Sequence, residues 1–156
     1  MTFKFATTPQ RSRNMASIRS SGNVTTEQRL AKILRKHRIT GWRRHLKLPG
    51  KPDFVFPKYK IAIFVDGCFW HFCPRCTKVP KQNTKYWTEK KRRNKSRDRS
   101  VSHQLRITGW KVIRFWEHSL ESESTIAKRI RKALLLLGGD KVSQGKDIAQ
   151  AWKHYV

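Results

Sequence analysis

The residues best suited to chemistry are few and fall close together. Cys68, Cys73 and Cys76 lie within nine residues, and Cys73-Pro-Arg-Cys76 has the CxxC spacing. A structural zinc ion takes four nitrogen or sulfur ligands, commonly as two close pairs. Three thiols therefore leave one ligand to come from elsewhere. His118 is the best candidate, because it follows a strand-like run that can return to the loop; His71, inside the cluster, is its rival. The bland alternative is that the cysteines are small buried hydrophobes. A redox dithiol is disfavoured, since no helix starts at Cys73 to lower its thiol pKa.

Carboxylates are scarce, at 10 Asp and Glu against 36 Lys and Arg, so their positions carry information. Asp53 follows Pro52 and opens an extended run, and Asp66 closes the next one. A divalent cation that helps hydrolyse a phosphodiester needs at least one hard oxygen ligand, and strand ends hold such groups rigidly. Without a metal, the same residues are a turn aspartate and an Asx cap. His71 has the pKa range to take a proton from water, although a lone histidine is equally a ligand or a satisfied core residue. Glu27 and Asp98 sit among basic residues on helical segments, where the plain reading is an ion pair one turn away. Phe69-Trp70 and Trp87 are interleaved with Lys and Arg, a pattern that can stack on bases or wedge between them, and Met15 offers the same from the N-terminal arm. Core packing is the competing role for each, and the preferred one for Trp110 and Trp116.

The elements that must position these groups can be read from pattern. Residues 1–24 are polar and rich in Ser, Thr and Arg, an arm with a short helical stretch. Thr25-Thr26-Glu27-Gln28 offers a capping box ahead of the apolar stripe Leu30, Ile33, Leu34. Pro49-Gly50-Lys51-Pro52 is a turn. Residues 53–56 and 60–65 form a hairpin whose second strand is apolar enough to be central. Residues 84–106 form a long basic helix with Trp87, Asn94, Val101 and Leu105 near one face. Gly109 ends it, residues 110–116 form a third strand, and a last helix starts at Ser122 or Ser124 and runs to Leu137 before Gly138-Gly139. Helices on both sides of a small mixed sheet are the expected packing. The body spans 25–139, with 140–156 a weakly patterned tail.

The formal charge of +26 is spread along the whole chain. Such an excess repels itself in a compact state and seeks a polyanion. Nucleic acid is the first expectation, because phosphate neutralisation gives a large, salt-dependent affinity; anionic membranes and ribosomal RNA compete on charge alone. No apolar run approaches the roughly 18 residues of a membrane helix. Residues 1–15 lack the apolar core of a secretory signal, and three is an odd number of cysteines, so a reducing cytoplasm, with nucleoid association, is expected.

Taken together, Asn14-Met15 in RSRNMASIRS, Glu27 in TTEQRL, PGKPDFVF, FVDGCFWH, KVPKQNTKYW and WEHSL resemble, in order and spacing, the very-short-patch-repair (Vsr) DNA mismatch endonucleases. The likeness covers roughly residues 10–120. It implies an α/β restriction-endonuclease-like fold with a structural zinc site. The implied function is a Mg²⁺-dependent nick 5′ to the T of a T:G mismatch in double-stranded DNA, made by a monomer. Such mismatches arise when 5-methylcytosine deaminates.

By the resemblance Asp53 bridges two Mg²⁺ ions and the Val65 carbonyl is a further metal ligand. His71 activates the attacking water, Asp98 orients it, and Glu27 is an acid near the site. Cys68, Cys73, Cys76 and His118 hold zinc. Phe69, Trp70 and Trp87 wedge beside the mismatch, Met15 inserts from the other groove, and Asn94 on the basic helix joins the DNA-binding set. Residues 1–24 become a DNA-contacting arm and 25–139 the endonuclease domain. Asp66 stands where some members have His, and could add a carboxylate to the metal site. Two other functions compete: a restriction-like or phage-defence nuclease of the same fold with different specificity, and a non-catalytic zinc-containing DNA binder.

Overall fold

The computed structural model describes residues 9, 10, 13 and 23–139. Met15, most of the 1–24 arm and the 140–156 tail lie outside them.

The chain enters through a five-residue π-helical turn, Val24–Gln28, that runs into α1 (Arg29–Lys36). Its cap is Asn23, not the expected Thr25: the Asn23 side-chain oxygen accepts from the Thr25 N–H at 2.9 Å and from its hydroxyl at 2.8 Å. Asn caps as well as Ser or Thr, and starting the helix two residues early turns Thr26 and Glu27 inward, where both are buried. The stripe Leu30, Ile33, Leu34 is fully buried, as its helical spacing requires.

Strands β1 (Phe54–Phe56), β2 (Ile61–Asp66) and β3 (Lys111–Trp116) make a mixed sheet in the order β1-β2-β3. The hairpin closes through a single 3-10 turn, Pro57–Tyr59, with Phe54 opposite Ile63 and Phe56 opposite Ile61. The β2–β3 pair is parallel, with Phe64 beside Arg114 and Asp66 beside Trp116. A parallel pair needs a long crossover, and α2 (Thr84–Ile107) provides it. The last helix, α3 (Glu123–Gly139), begins after Ser122, whose carbonyl accepts from the Ile126 N–H.

Side chains on a strand alternate between faces, and here the two faces have different tasks. Phe54, Phe56, Ile61, Ile63, Ile113 and Phe115 face α1 and α3 in the main core, with Leu120, Ile126 and Ile130. Ala62 and Phe64 face α2, in a smaller cluster with Leu105, Leu48 and Val101. Trp110 packs on that cluster half-buried, and Trp116 is half-buried too, so neither is the full core residue expected. The same alternation continues Ala62 and Phe64 to Asp66, and Val112 to Arg114. The charged residues of the two strands thus meet on the thinly packed α2 side, beyond the end of its apolar cluster.

Candidate active site and zinc cluster

Asp53 precedes β1, and its Oδ2 accepts from the Val65 N–H of β2 at 2.7 Å. That contact fixes the carboxylate across the hairpin. Burial pushes the Asp53 pKa up to about 6; the Val65 N–H opposes the rise, while the nearby charges of Glu27 and Asp66 add to it. Carboxylates crowded in this way favour either a proton or a cation. The donor set is all oxygen, which suits Mg²⁺. Asp53 shares a cleft of about 510 Å³ with Glu27, Asp66, His71, Asp98 and Arg114. Glu27 is ion-paired with Arg44, a residue far along the chain and not one turn on as expected.

His71 and Asp98 meet across the gap between the cysteine loop and α2. The His71 Nδ1 lies 2.7 Å from Asp98 Oδ2 and 3.6 Å from Asp66 Oδ1. Burial alone would raise the Asp98 pKa, but the hydrogen bond and charge of His71, with Arg114 and Arg97, hold it below the usual carboxylate range. A carboxylate at Nδ1 sets the tautomer: Nδ1 carries the proton and Nε2 keeps its lone pair. One helical turn back, Asn94 Nδ2 donates to the Trp70 carbonyl at 2.8 Å. Asn94 and Asp98 are i,i+4 neighbours on one face of α2, so the helix grips consecutive loop residues, Trp70 and His71. Asn94, expected at the DNA, is placed here as a holder of the loop.

The aromatic group is built edge to face. Phe69 sits 5.2 Å from Trp70 and 5.4 Å from Trp87, ring centre to ring centre. Phe69 is partly exposed and Trp70 half-buried, whereas Trp87 is buried against Phe69, Phe72 and Tyr86. Trp87 therefore backs the partly exposed Phe69. Lys90 sits against the Trp70, Tyr86 and Trp87 rings at 5.2, 5.5 and 5.8 Å, a cation in an aromatic setting.

The same loop carries the cysteine cluster. His118 Nδ1 is 3.2, 3.6 and 3.3 Å from the Sγ atoms of Cys68, Cys73 and Cys76. The four ligand atoms all lie within 4.8 Å of one another. A tetrahedral zinc ion separates its N and S ligands by roughly 3.5 Å, so this set fits one. His118, not His71, completes it, which leaves His71 free for Asp98. Burial pushes the Cys68 thiol up to about 11. The loop is further tied by Cys68 N–H to Glu117 at 3.1 Å and by the Thr77 hydroxyl to the Cys68 carbonyl at 2.6 Å.

Arg114 and Glu117 are not evident as site residues from sequence. Arg114 reaches Asp66 with both Nε, 2.7 Å, and Nη2, 2.5 Å. A signal does exist. In Lys111–Trp116 the period-2 rule puts Arg114 on the same face as Val112, and an inward cation demands a carboxylate on the neighbouring strand.

A half-buried carboxylate at a strand head, an imidazole with its own carboxylate, and a basic helix alongside define a hydrolytic, DNA-directed α/β protein of restriction-endonuclease-like fold. Comparison with known proteins sharpens this. The family model for the DNA mismatch endonuclease Vsr matches residues 4–78. The type II nicking enzyme V.NmeDIP of Neisseria meningitidis serogroup C is 37% identical over 132 residues, 82% of this chain and 88% of the relative. V.NaeI of Lentzea aerocolonigenes, another type II nicking enzyme, is 45% identical over 116 residues, covering 69% and 68% of the two chains. The DNA mismatch endonuclease Vsr of Escherichia coli K12 is 37% identical over 118 residues, 74% of each. The chain belongs to the Vsr family of DNA mismatch endonucleases.

Proposed function

We propose that this DNA endonuclease nicks double-stranded DNA 5′ to the T of a T:G mismatch, in a Mg²⁺-dependent hydrolysis that opens repair of deaminated 5-methylcytosine. One observation carries the reading: Asp53 and the His71–Asp98 pair share a single cleft, and the loop that brings His71 there also carries Phe69 and Trp70.

In this reading the Asp53 carboxylate and the Val65 carbonyl hold the magnesium ions, with Glu27 nearby. Bound there, magnesium supplies charge stabilisation for the entering and leaving oxygens of the phosphate. His71 accepts the water proton at Nε2, because Nδ1 is committed to Asp98. Asp98 fixes the ring and favours the imidazolium that results. Phe69 and Trp70 enter the stack beside the mismatch, with Trp87 as their rigid back and Met15 reaching from the opposite groove. Unstacking costs a few kcal/mol per step and less at a mispair, which is one source of selectivity. Residues of α2 such as Lys95, Arg99 and Arg106 hold backbone phosphates, which position the duplex without reading sequence. The zinc ion, held by Cys68, Cys73, Cys76 and His118, braces the loop. The protein acts as a monomer, in the cytoplasm at the nucleoid; residues 1–24 serve as the DNA arm, 25–139 as the catalytic domain and 140–156 as an appended tail.

The test is a nicking assay with Mg²⁺ on T:G, A:C and matched duplexes, mapping strand and position. Cutting confined to the T strand of T:G supports the proposal. Equal cutting of matched duplex supports a second reading, a sequence-directed nickase. Relatives named type II nicking enzymes, V.NaeI and V.NmeDIP among them, favour that reading.

A further inference from the structure

Asp66 points into the same cleft as Asp53 and looks available as another metal ligand. Its surroundings argue otherwise. Both of its oxygens are taken by Arg114, at 2.5 and 2.7 Å, in the fork geometry that only Arg provides. Asp66 is buried, and Arg114 is half-buried with its guanidinium carbon 4.7 Å from the centre of the Phe64 ring. The Arg114 Nη2 also stands 3.5 Å from Asp98 Oδ1, the oxygen not used by His71. Arg114 therefore links β3 to β2 through Asp66 and to α2 through Asp98. His71 is 3.6 Å from Asp66 and 2.7 Å from Asp98. Without the guanidinium two carboxylates would compete for one imidazole.

We propose that Arg114 is a positioning residue for the Asp98–His71 pair, and that Asp66 is its anchor and not a magnesium ligand. The proposal rests on the hydrolytic reading of the cleft given above. Physically, Arg114 neutralises Asp66, keeps it from drawing the His71 ring aside, and holds the second oxygen of Asp98 so that the first faces Nδ1. It acts only through other side chains, so its loss should lower turnover and leave duplex binding alone.

The variants are Asp66→Asn and the double change Asp66→Asn with Arg114→Met. The double change removes both charges together and avoids the unfolding risk of an orphaned buried carboxylate. Three quantities are read on T:G duplex and Mg²⁺, with Asp53→Asn and wild type as controls. The first is kcat and KM. The double variant should lose about 10-fold to 100-fold in kcat, the range typical of lost outer-shell support, with KM unchanged. The second is the Mg²⁺ concentration for half-maximal nicking, which should stay the same in Asp66→Asn. The third is the ¹⁵N spectrum of the His71 ring at one fixed pH, assigned by comparison with His71→Gln. The wild type should show the Nδ1–H form held, and the double variant a mixture of tautomers.

A rise of about 10-fold or more in the Mg²⁺ requirement of Asp66→Asn would make Asp66 a ligand and overturn the assignment. So would a double variant with wild-type kcat, or one with an unchanged imidazole spectrum. If the wild type nicks no duplex, the hydrolytic reading fails by itself, and the ring spectrum still decides whether Arg114 orients His71.

Discussion

Replacing Asp53 by Asn should stabilise the fold. Burial raises the Asp53 pKa to about 6 from an ordinary value of 3.8. A tenfold change in an ionisation equilibrium is worth about 1.4 kcal/mol, so ionising this group in the folded chain costs about 3 kcal/mol at pH 7.5. The sign follows from proton counting. Between pH 4 and 6 the folded chain binds more protons at this site than the unfolded chain, so stability falls as pH rises through that window. Above 6 the full cost is present; below 4 it is absent. Asn carries no charge and its side-chain oxygen can still accept from the Val65 N–H. Asp53→Asn should therefore gain up to about 3 kcal/mol at pH 7.5, which is roughly 6–12 °C in Tm for a domain of this size. The gain should shrink steadily below pH 6 and vanish near pH 4. Urea or thermal unfolding of both proteins across that range measures it, in magnesium-free buffer without a chelator so that a metal held by the Cys–His cluster is left in place. Adding Mg²⁺ should then stabilise the wild type and leave the variant unmoved. A variant no more stable than wild type at pH 7.5, or equally favoured at pH 4, would refute the assignment of Asp53 as a carboxylate held in strain for a cation.

Two further perturbations address the supports of the site. His118→Ala removes one of the four cluster ligands. Zinc content by metal analysis should fall below about half an equivalent, and limited proteolysis should cut residues 68–83, with nicking lost in parallel. Gly50 has φ +73°, and a Cβ there would lie 2.2 Å from the Cγ1 of Val101 on α2. Gly50→Ala should cost about 2 kcal/mol in unfolding measurements from strain and overpacking together, and should slow nicking because the turn leads directly to Asp53.

Most elements are readable in the sequence because local pattern and burial agree. The continuous apolar run of Ile61–Asp66, the β-branched and aromatic residues of Lys111–Trp116, the stripe of α1 and the glycine after α2 all point to the structure found. What escapes local pattern is a set of contacts made by long-range pairing. Glu27 has the local setting of a helix-surface ion pair, yet a start at Asn23 turns it inward toward Arg44, 17 residues away. Asn94 sits on the basic helix, and its bond to the Trp70 carbonyl, 24 residues away, depends on the fold that brings the loop to it. Arg114 reads as a strand filler until its register with Phe64 sets it on the same face as Asp66. The metal cluster is half legible: three cysteines are local, but choosing between His71 and His118 depends on the parallel β2–β3 pairing that returns the chain to the loop. Trp87, expected in the wedge, is legible as aromatic but not as buried, because its cover comes from Phe69 and Phe72 in a separate segment.

Those long-range contacts share one mechanical result. The helix α2 has few buried apolar residues, Trp87 and Leu105 among them, for its 24-residue length. Leu105 and Val101 seat its C-terminal half on Ala62 and Phe64 of the sheet, and polar links tie its middle: Asn94 to Trp70 and Asp98 to His71 in the loop, and Asp98 to Arg114 on β3. Polar links are worth less in water than in a closed, dry cleft. A duplex pressed against this basic helix would exclude water from them and strengthen them together. Engagement of the backbone by α2 would then tighten the same contacts that aim Nε2 of His71 and fix the loop carrying Phe69.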